Sequence, residues 1–323
     1  LVKGYCNTTD IKDKSLKEVR VQVNNTTRLS ALIVLGSALV SISSFAEANA
    51  VRYYSANLDN SLWYMANNTQ LNCELEHVIP RFGKVQFHSE ASKQLNLTMT
   101  FDMNQLPDNY SVARIESVPP QWQPGQNSYS IGSMDLYKQF NGELKKQAAW
   151  TLLSELDKGR YPTFLYQDWY NPKDQVAVAI SAVNFRSAYD AFKGCINALL
   201  PFSFEDIAYT VLNHKADSDE LTAPSRRKLK QISDYLKVDA DLKLVLIDSY
   251  TDALGAREPN QTLTEQRANA IKSFFVERGI KADRIQTVAH GEDRPIDHND
   301  NEIGRQKNRR VIVQLNKSSD VEL

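Results

Sequence analysis

Little in this sequence points to a charged partner. Lys and Arg number 38 against 39 Asp and Glu, for a net charge of −1. The chain therefore carries no overall basic field of the kind that draws nucleic acid, and a binding site has to be argued locally. Histidine is scarce: His77, His88, His214, His290 and His298 are all there are, and none falls in a tight zinc-ligand spacing such as H-E-x-x-H. A G-x-S-x-G nucleophile elbow is also missing. With neither a metal site nor an activated nucleophile in view, the reading is a non-enzyme with no cofactor and no metal. Long apolar runs are lacking too. The stretch 29–40 is well short of the roughly 20 residues that a membrane span needs. What is present is a globular composition, 42% hydrophobic and 24% charged, in 323 residues, enough for two domains with real cores.

A methionine near the start is also absent; the first is Met65. Residues 1–25 are polar without apolar periodicity and are read as an unstructured upstream extension or the start of a fragment. Arg28, the apolar run 29–40 and the ending Ala48-Asn49-Ala50 are the parts of a secretory signal peptide over 26–50. Cleavage after Ala50 gives a periplasmic chain starting at Val51 with no transmembrane span; the alternative is an uncleaved anchor. No cysteine directly follows the run, so a lipid attachment is not expected. Of three cysteines, Cys6 lies upstream, leaving Cys73 and Cys195. In an oxidising compartment these read as one disulfide, with two free buried thiols as the alternative.

Short strands are expected at 74–79, 84–88, 95–103, 111–115 and 176–183, with the clearest period of two in Leu95-Asn96-Leu97-Thr98-Met99-Thr100-Phe101. Helices are expected at 147–156, closed by Gly159, and at 189–199. The aromatic cluster Tyr161, Phe164, Tyr166, Trp169 and Tyr170 is read as core and edge packing, with a partner surface as the minority reading. Beyond Pro201 the order becomes strand 207–212, helix 224–236, strand 243–250, helix 261–278, strand 285–290 and strand 310–315. Leu229, Ile232 and Leu236 form one helical stripe. Ala268, Ile271 and Phe275 form another, with Thr262 and Glu265 in capping-box spacing and Gly279 at an αL cap. The fold class is α+β: a mostly-β domain over 51–202, an α/β sandwich with a mixed sheet over 203–315, and a polar tail over 316–323. The joint near 200–205 is short, so the two should sit close together.

Three segments carry the chemistry: Thr251-Asp252-Ala253-Leu254-Gly255 after the central strand, Asn260 to Ala268 on the next helix, and His290 to Val311. Asp252 at a strand's end and Arg267 in the next helix can converge over one surface. A carboxylate beside a guanidinium can hold a zwitterionic ligand end, although taken alone the pair is an ordinary salt bridge. In combination, T-D-x-x-G, N-x-x-L-[ST]-x-x-R-A, G-x-x-x-P and G-R-x-x-N-R-R-V resemble the OmpA-like peptidoglycan-binding family over about 203–315. That resemblance implies that Asp252 takes the amino group, and Arg267 the carboxylate, of a diaminopimelate side chain. Thr251, Asn260, Leu263, Asn308 and Arg309 match positions lining the same pocket. Thr264 departs from a commoner Ser while keeping the hydroxyl, and Ala253-Leu254 is less polar than usual.

Gly159-Arg160-Tyr161-Pro162-Thr163-Phe164, Tyr166-Gln167-Asp168-Trp169 and Ser203-Phe204-Glu205-Asp206-Ile207-Ala208 are similar to the MotY family of sodium-driven flagellar motor components. The resemblance implies an N-terminal domain that joins MotX and the basal body in the T ring. It also implies a C-terminal domain that grips the wall and helps hold PomA/PomB stators. A generic envelope tether without a motor role is the rival reading.

Overall fold

The computed structural model describes residues 50–316, apart from Gln121, Ala216, Asp217, Asp219, Ala240, Asp241, Lys243 and Gly255. The upstream segment with Cys6, the expected signal peptide up to Asn49 and residues 317–323 of the tail lie outside the described residues. Among the described residues no helix is long and apolar enough to cross a membrane.

Alternation builds the first half. In β5 (Thr98–Met103) every second side chain is buried, so one face is sealed and the other half-wet. It pairs antiparallel with β4 (Gly83–Glu90), which pairs with β3 (Asn72–Ile79) and through it with β2 (Trp63–Asn68). The short β8 (Gly142–Lys145) closes this five-stranded sheet on the far side of β5. A second five-stranded sheet runs β1 (Val51–Tyr54), β10 (Gln175–Ala179), β9 (Tyr161–Gln167), β6 (Ser111–Val118) and β7 (Tyr129–Leu136). The inner faces share one core in which Phe101 meets Phe164 edge-on at 4.5 Å. Helices α1 (Gln147–Asp157) and α2 (Phe185–Ala198) complete it. The disulfide is formed: Cys73 on β3 and Cys195 on α2 are bonded, with Cα atoms 5.9 Å apart.

The second half packs helices on one side of a four-stranded mixed sheet ordered β11 (Tyr209–Asn213), β14 (Arg310–Asn316), β12 (Leu244–Ser249), β13 (Ile285–Ala289). Strand β12 lies parallel to β13 and antiparallel to β14. The short α3 (Phe204–Ile207), boxed by Ser203 and Asp206, precedes it. Leu229, Ile232 and Leu236 of α4 (Ala223–Val238) and Ala268, Ile271 and Phe275 of α5 (Arg257–Glu277) are buried against Val245 and Ile247. The fold class is therefore α+β, mostly β in its first half. Leu71 and Leu200 pack against the second core, Leu200 N donates to Gln70 O at 2.9 Å, and Lys93 pairs with Asp206. The two halves are thus in contact.

Several boundaries move. The strand expected from Leu95 begins at Thr98, because Asn96 Oδ1 accepts from Glu90 N at 2.8 Å and Ser89 Oγ at 3.0 Å, closing a turn. Strand β10 ends at Ala179. Helix α5 starts at Arg257, so Thr262 and Glu265 sit in its interior; Thr262 Oγ1 donates to Glu258 O at 3.2 Å and caps nothing. Pro259 is compatible with that early start because first-turn N–H groups have no helical partner to lose. Gly279, at φ +91°, ends the helix as an αL cap, with Ile280 N bonding back to Phe275 O. In the aromatic cluster Phe164 and Tyr166 are buried, Trp169 stacks on Tyr166 at 5.2 Å, and Tyr170 is exposed.

Candidate functional site

The site forms where β12 ends. Tyr250 N is tied to Arg310 O and Thr251 N to Gly291 O, so the chain is held on both sides as it leaves the sheet. Asp252 follows, buried at 6% exposure. One of its oxygens accepts from Leu254 N at 3.0 Å, an Asx-type turn that fixes the carboxylate. The other accepts from Arg309 at 2.8 Å. Asn260, in the first turns of α5, donates to Asp252 O at 3.4 Å and to Glu292 at 2.9 Å, pinning the loop after β12 to the loop after β13.

Asp252 therefore pairs with Arg309 rather than with Arg267. Arg267 is also buried, at 5% exposure, and donates to Ser218 O at 3.3 Å from the facing side. Both charges nevertheless line one open cavity of about 410 Å³, together with Thr251, Asn260, Leu263 and Arg309. Burial works against the charge on Arg309, but the hydrogen bonds it donates to Glu302 and Asp252 outweigh it and leave its pKa above the ordinary value. The hydrogen bond to Arg309 in turn lowers the Glu302 carboxyl.

Asn308 is the expected pocket residue that the structure does not bring to the cavity. It is fully buried and uses its whole amide on the loop before α6 (Glu302–Asn308). Its oxygen accepts from Ile296 N and Asp297 N at 2.9 and 3.1 Å, and its nitrogen donates to Asp297 O and Asn299 at 2.8 Å each. A side-chain amide has two acceptor sites and two donors, so none is left for a ligand. Gly304 serves the same loop. A Cβ there would lie 1.9 Å from His298 O, so no larger residue fits without a shift. Thr264, fully buried, donates to Gln261 O at 2.8 Å and accepts from Gly291 N at 3.1 Å, which explains why a hydroxyl is wanted there.

Sequence reading missed Glu302 and Ser218. Glu302 was hidden because α6 was not expected, yet Asn301 caps it by accepting from Gly304 N at 2.8 Å. That N-x-x-G start was the available signal. His290 stacks on Tyr250 at 4.5 Å and sits 2.9 Å from Asp248, which gives it a packing partner and a hydrogen-bonding one. Among the described residues no group of three or more His, Cys, Asp or Glu is arranged to hold a metal ion. The arrangement is a fixed, largely buried set of opposite charges lining a cavity.

Comparison with known proteins finds matches in both halves of the chain. Residues 54–201 match the family model of the MotY N-terminal domain, and residues 214–309 match that of the OmpA family. The sodium-type flagellar protein MotY of Vibrio parahaemolyticus is 42% identical over 287 residues, covering 89% of this chain and 98% of that protein. The peptidoglycan-associated lipoprotein of Pseudomonas putida is 30% identical over 131 residues, 41% of this chain and 78% of that one. Among solved structures, the peptidoglycan-associated lipoprotein of Burkholderia pseudomallei is 24% identical over 33% of this chain and 89% of that one, with a TM-score of 0.31.

Proposed function

The chain belongs to the MotY family of sodium-type flagellar proteins, and from that premise we propose that it is a non-enzymatic periplasmic component of the flagellar motor that anchors it to peptidoglycan. The observation that carries the reading is the convergence of buried Asp252, Arg267 and Arg309 on one cavity. Asp252 keeps lone pairs beyond those given to Leu254 and Arg309, because a carboxylate offers about four acceptor sites. It takes the ammonium of a diaminopimelate side chain, and Arg267 takes the carboxylate. Leu263 and Thr251 line the stem. The division of labour falls near residues 202–203. Residues 51–202 associate with MotX and the basal body in the T ring, residues 203–315 hold the wall, and the PomA/PomB stators are retained indirectly. The match of residues 54–201 to a MotY-specific model favours this motor role over a generic envelope tether.

The test is co-sedimentation with purified sacculi, wild type beside Arg267→Ala, with basal-body association measured in parallel. Wild type should pellet, and the variant should stay soluble while still joining basal bodies. A folded variant that loses both would sink the two-part division. Folded wild type that stays in the supernatant would sink the wall-anchor reading.

A further inference from the structure

A second and larger cavity, about 590 Å³, runs between α4 and α5. Its floor is apolar: Leu229 and Ile271 are buried, and Phe274 and Leu221 are half-buried. Its rim is basic. Arg226 and Lys230 stand on α4, Lys230 also pairing with Asp234 at 3.0 Å, and Arg278 directly follows α5 with its guanidinium 3.5 Å over the Phe274 ring. Glu220, the one acidic residue lining it among the described residues, is already paired with Lys215. The volume is within the range of small-ligand sites, and the lining combines apolar surface with positive charge. Arg267 lines this groove and the Asp252 cavity alike, so the two are neighbours across a single side chain.

We propose that this groove is a second peptide subsite, occupied by the stem peptide cross-linked to the one held beside Asp252. The proposal rests on the wall-binding reading and adds to it a preference for cross-linked peptidoglycan. The chemistry fits on both counts. Stem peptides carry free carboxylates for Arg226, Lys230 and Arg278, and alanyl methyl groups for the Leu229–Ile271 floor. Tethering makes the second contact intramolecular, so weak contacts in the groove raise the affinity of a joined pair of peptides without strengthening either alone. Two adjacent subsites would make the protein a reader of cross-bridges, directing it to mature, load-bearing wall.

The experiment titrates the purified protein with a monomeric diaminopimelate muropeptide and with its cross-linked dimer, for wild type, Lys230→Glu and Ala270→Glu. Lys230 and Ala270 are exposed, so neither change is buried. Wild type should bind the dimer at least about tenfold more tightly than the monomer, with no statistical gain to subtract, because the cross-link consumes one diaminopimelate amine and leaves one free ammonium for Asp252. Both variants should remove that advantage and leave monomer affinity as it was. If the monomer binds and the dimer binds no more tightly, the groove proposal falls and the Asp252 site stands. If neither ligand binds, both readings fall together. If the dimer advantage survives in both variants while assembly with motor proteins fails, the groove belongs to an acidic protein partner and the wall subsite is overturned.

Discussion

The two halves of the molecule bury charge in opposite ways. In the first half, Glu155 accepts from Ser117, Tyr129 and Lys158 at 2.6 Å each. Arg160 beside it gives its guanidinium to Ser117, Gln126 and Asn127 and lies over the Tyr129 ring. Burial pushes the Glu155 carboxyl up, but those hydrogen bonds outweigh it and hold it below the usual range. That network closes on itself. In the second half, Asp252, Arg267 and Arg309 are as deeply buried but face a cavity. A buried charge enclosed by its own chain specifies the fold, whereas one that opens onto a cavity is available to a ligand. The contrast teaches where to look, because burial alone does not separate the two roles.

The contrast can be broken most forcefully at the disulfide. Cys73→Ser opens a link across a sequence separation of 122 residues, which the chain-entropy view rates at up to about 5 kcal/mol. Urea unfolding should show the first half losing stability, while the sacculus binding of folded molecules persists. Equal loss of both would mean that the halves do not act separately.

The next effect is one of pH. His77 is fully buried and stacked on Trp63 at 4.5 Å. Burial lowers its pKa to about 4, against the opposing pull of its hydrogen bond with Leu62 O. Because the folded value is below the unfolded one of about 6.5, the fold favours neutral imidazole. Its stability is complete above pH 6.5 and declines as pH falls from 6.5 to 4, by about 3 kcal/mol. His77→Gln should flatten that decline in thermal melts across the window; an unchanged slope would assign it to other groups.

At the cavity, Asp252→Asn keeps the shape and removes the charge. Losing one charge-assisted contact should cost about 1.5–3 kcal/mol of muropeptide affinity, with the first half's melting untouched. Affinity equal to wild type would remove Asp252 from the ligand. The smallest effect belongs to Thr264→Val, which deletes a hydroxyl serving Gly291 N and Gln261 O. About 1 kcal/mol of stability should go, with muropeptide affinity falling modestly as the loop after β13 loosens. A binding loss as large as that of Asp252→Asn would put the hydroxyl in direct contact with ligand.

Much of this was legible before any coordinates. The stripe Leu229, Ile232, Leu236 and the apolar run of β12 declared their burial directly, because periodicity reports which face is dry. Asp252 and Arg267 stand out through the resemblance to OmpA-like motifs and do share a cavity. What was not legible is which partner each residue takes. Arg309 lies 57 positions from Asp252, and only the pairing of β12 with β14 brings it in. Asn308 carries a pocket-like motif position yet spends its amide on a loop, a tertiary fact with no local trace. Helix α6 was overlooked because Gly304 inside it argues against a helix, although its role is close approach to His298 O. Strand β7 escaped because its mostly exposed side chains give no apolar alternation to detect.

The Cys73–Cys195 bond sits beside the junction between the halves: Leu200 reaches back to Gln70 and packs on the second core. On the proposed division of labour, with one half at the wall and the other at the motor, that placement sets the path of tension. A pull delivered through residue 200 is passed across the sulfur bridge to β3 rather than down the intervening chain. The chain between the bridgeheads, a sequence separation of 122 and about 400 Å if drawn out straight, is withheld from extension. The bridge turns the first half from a spool that could pay out thread into a closed shackle.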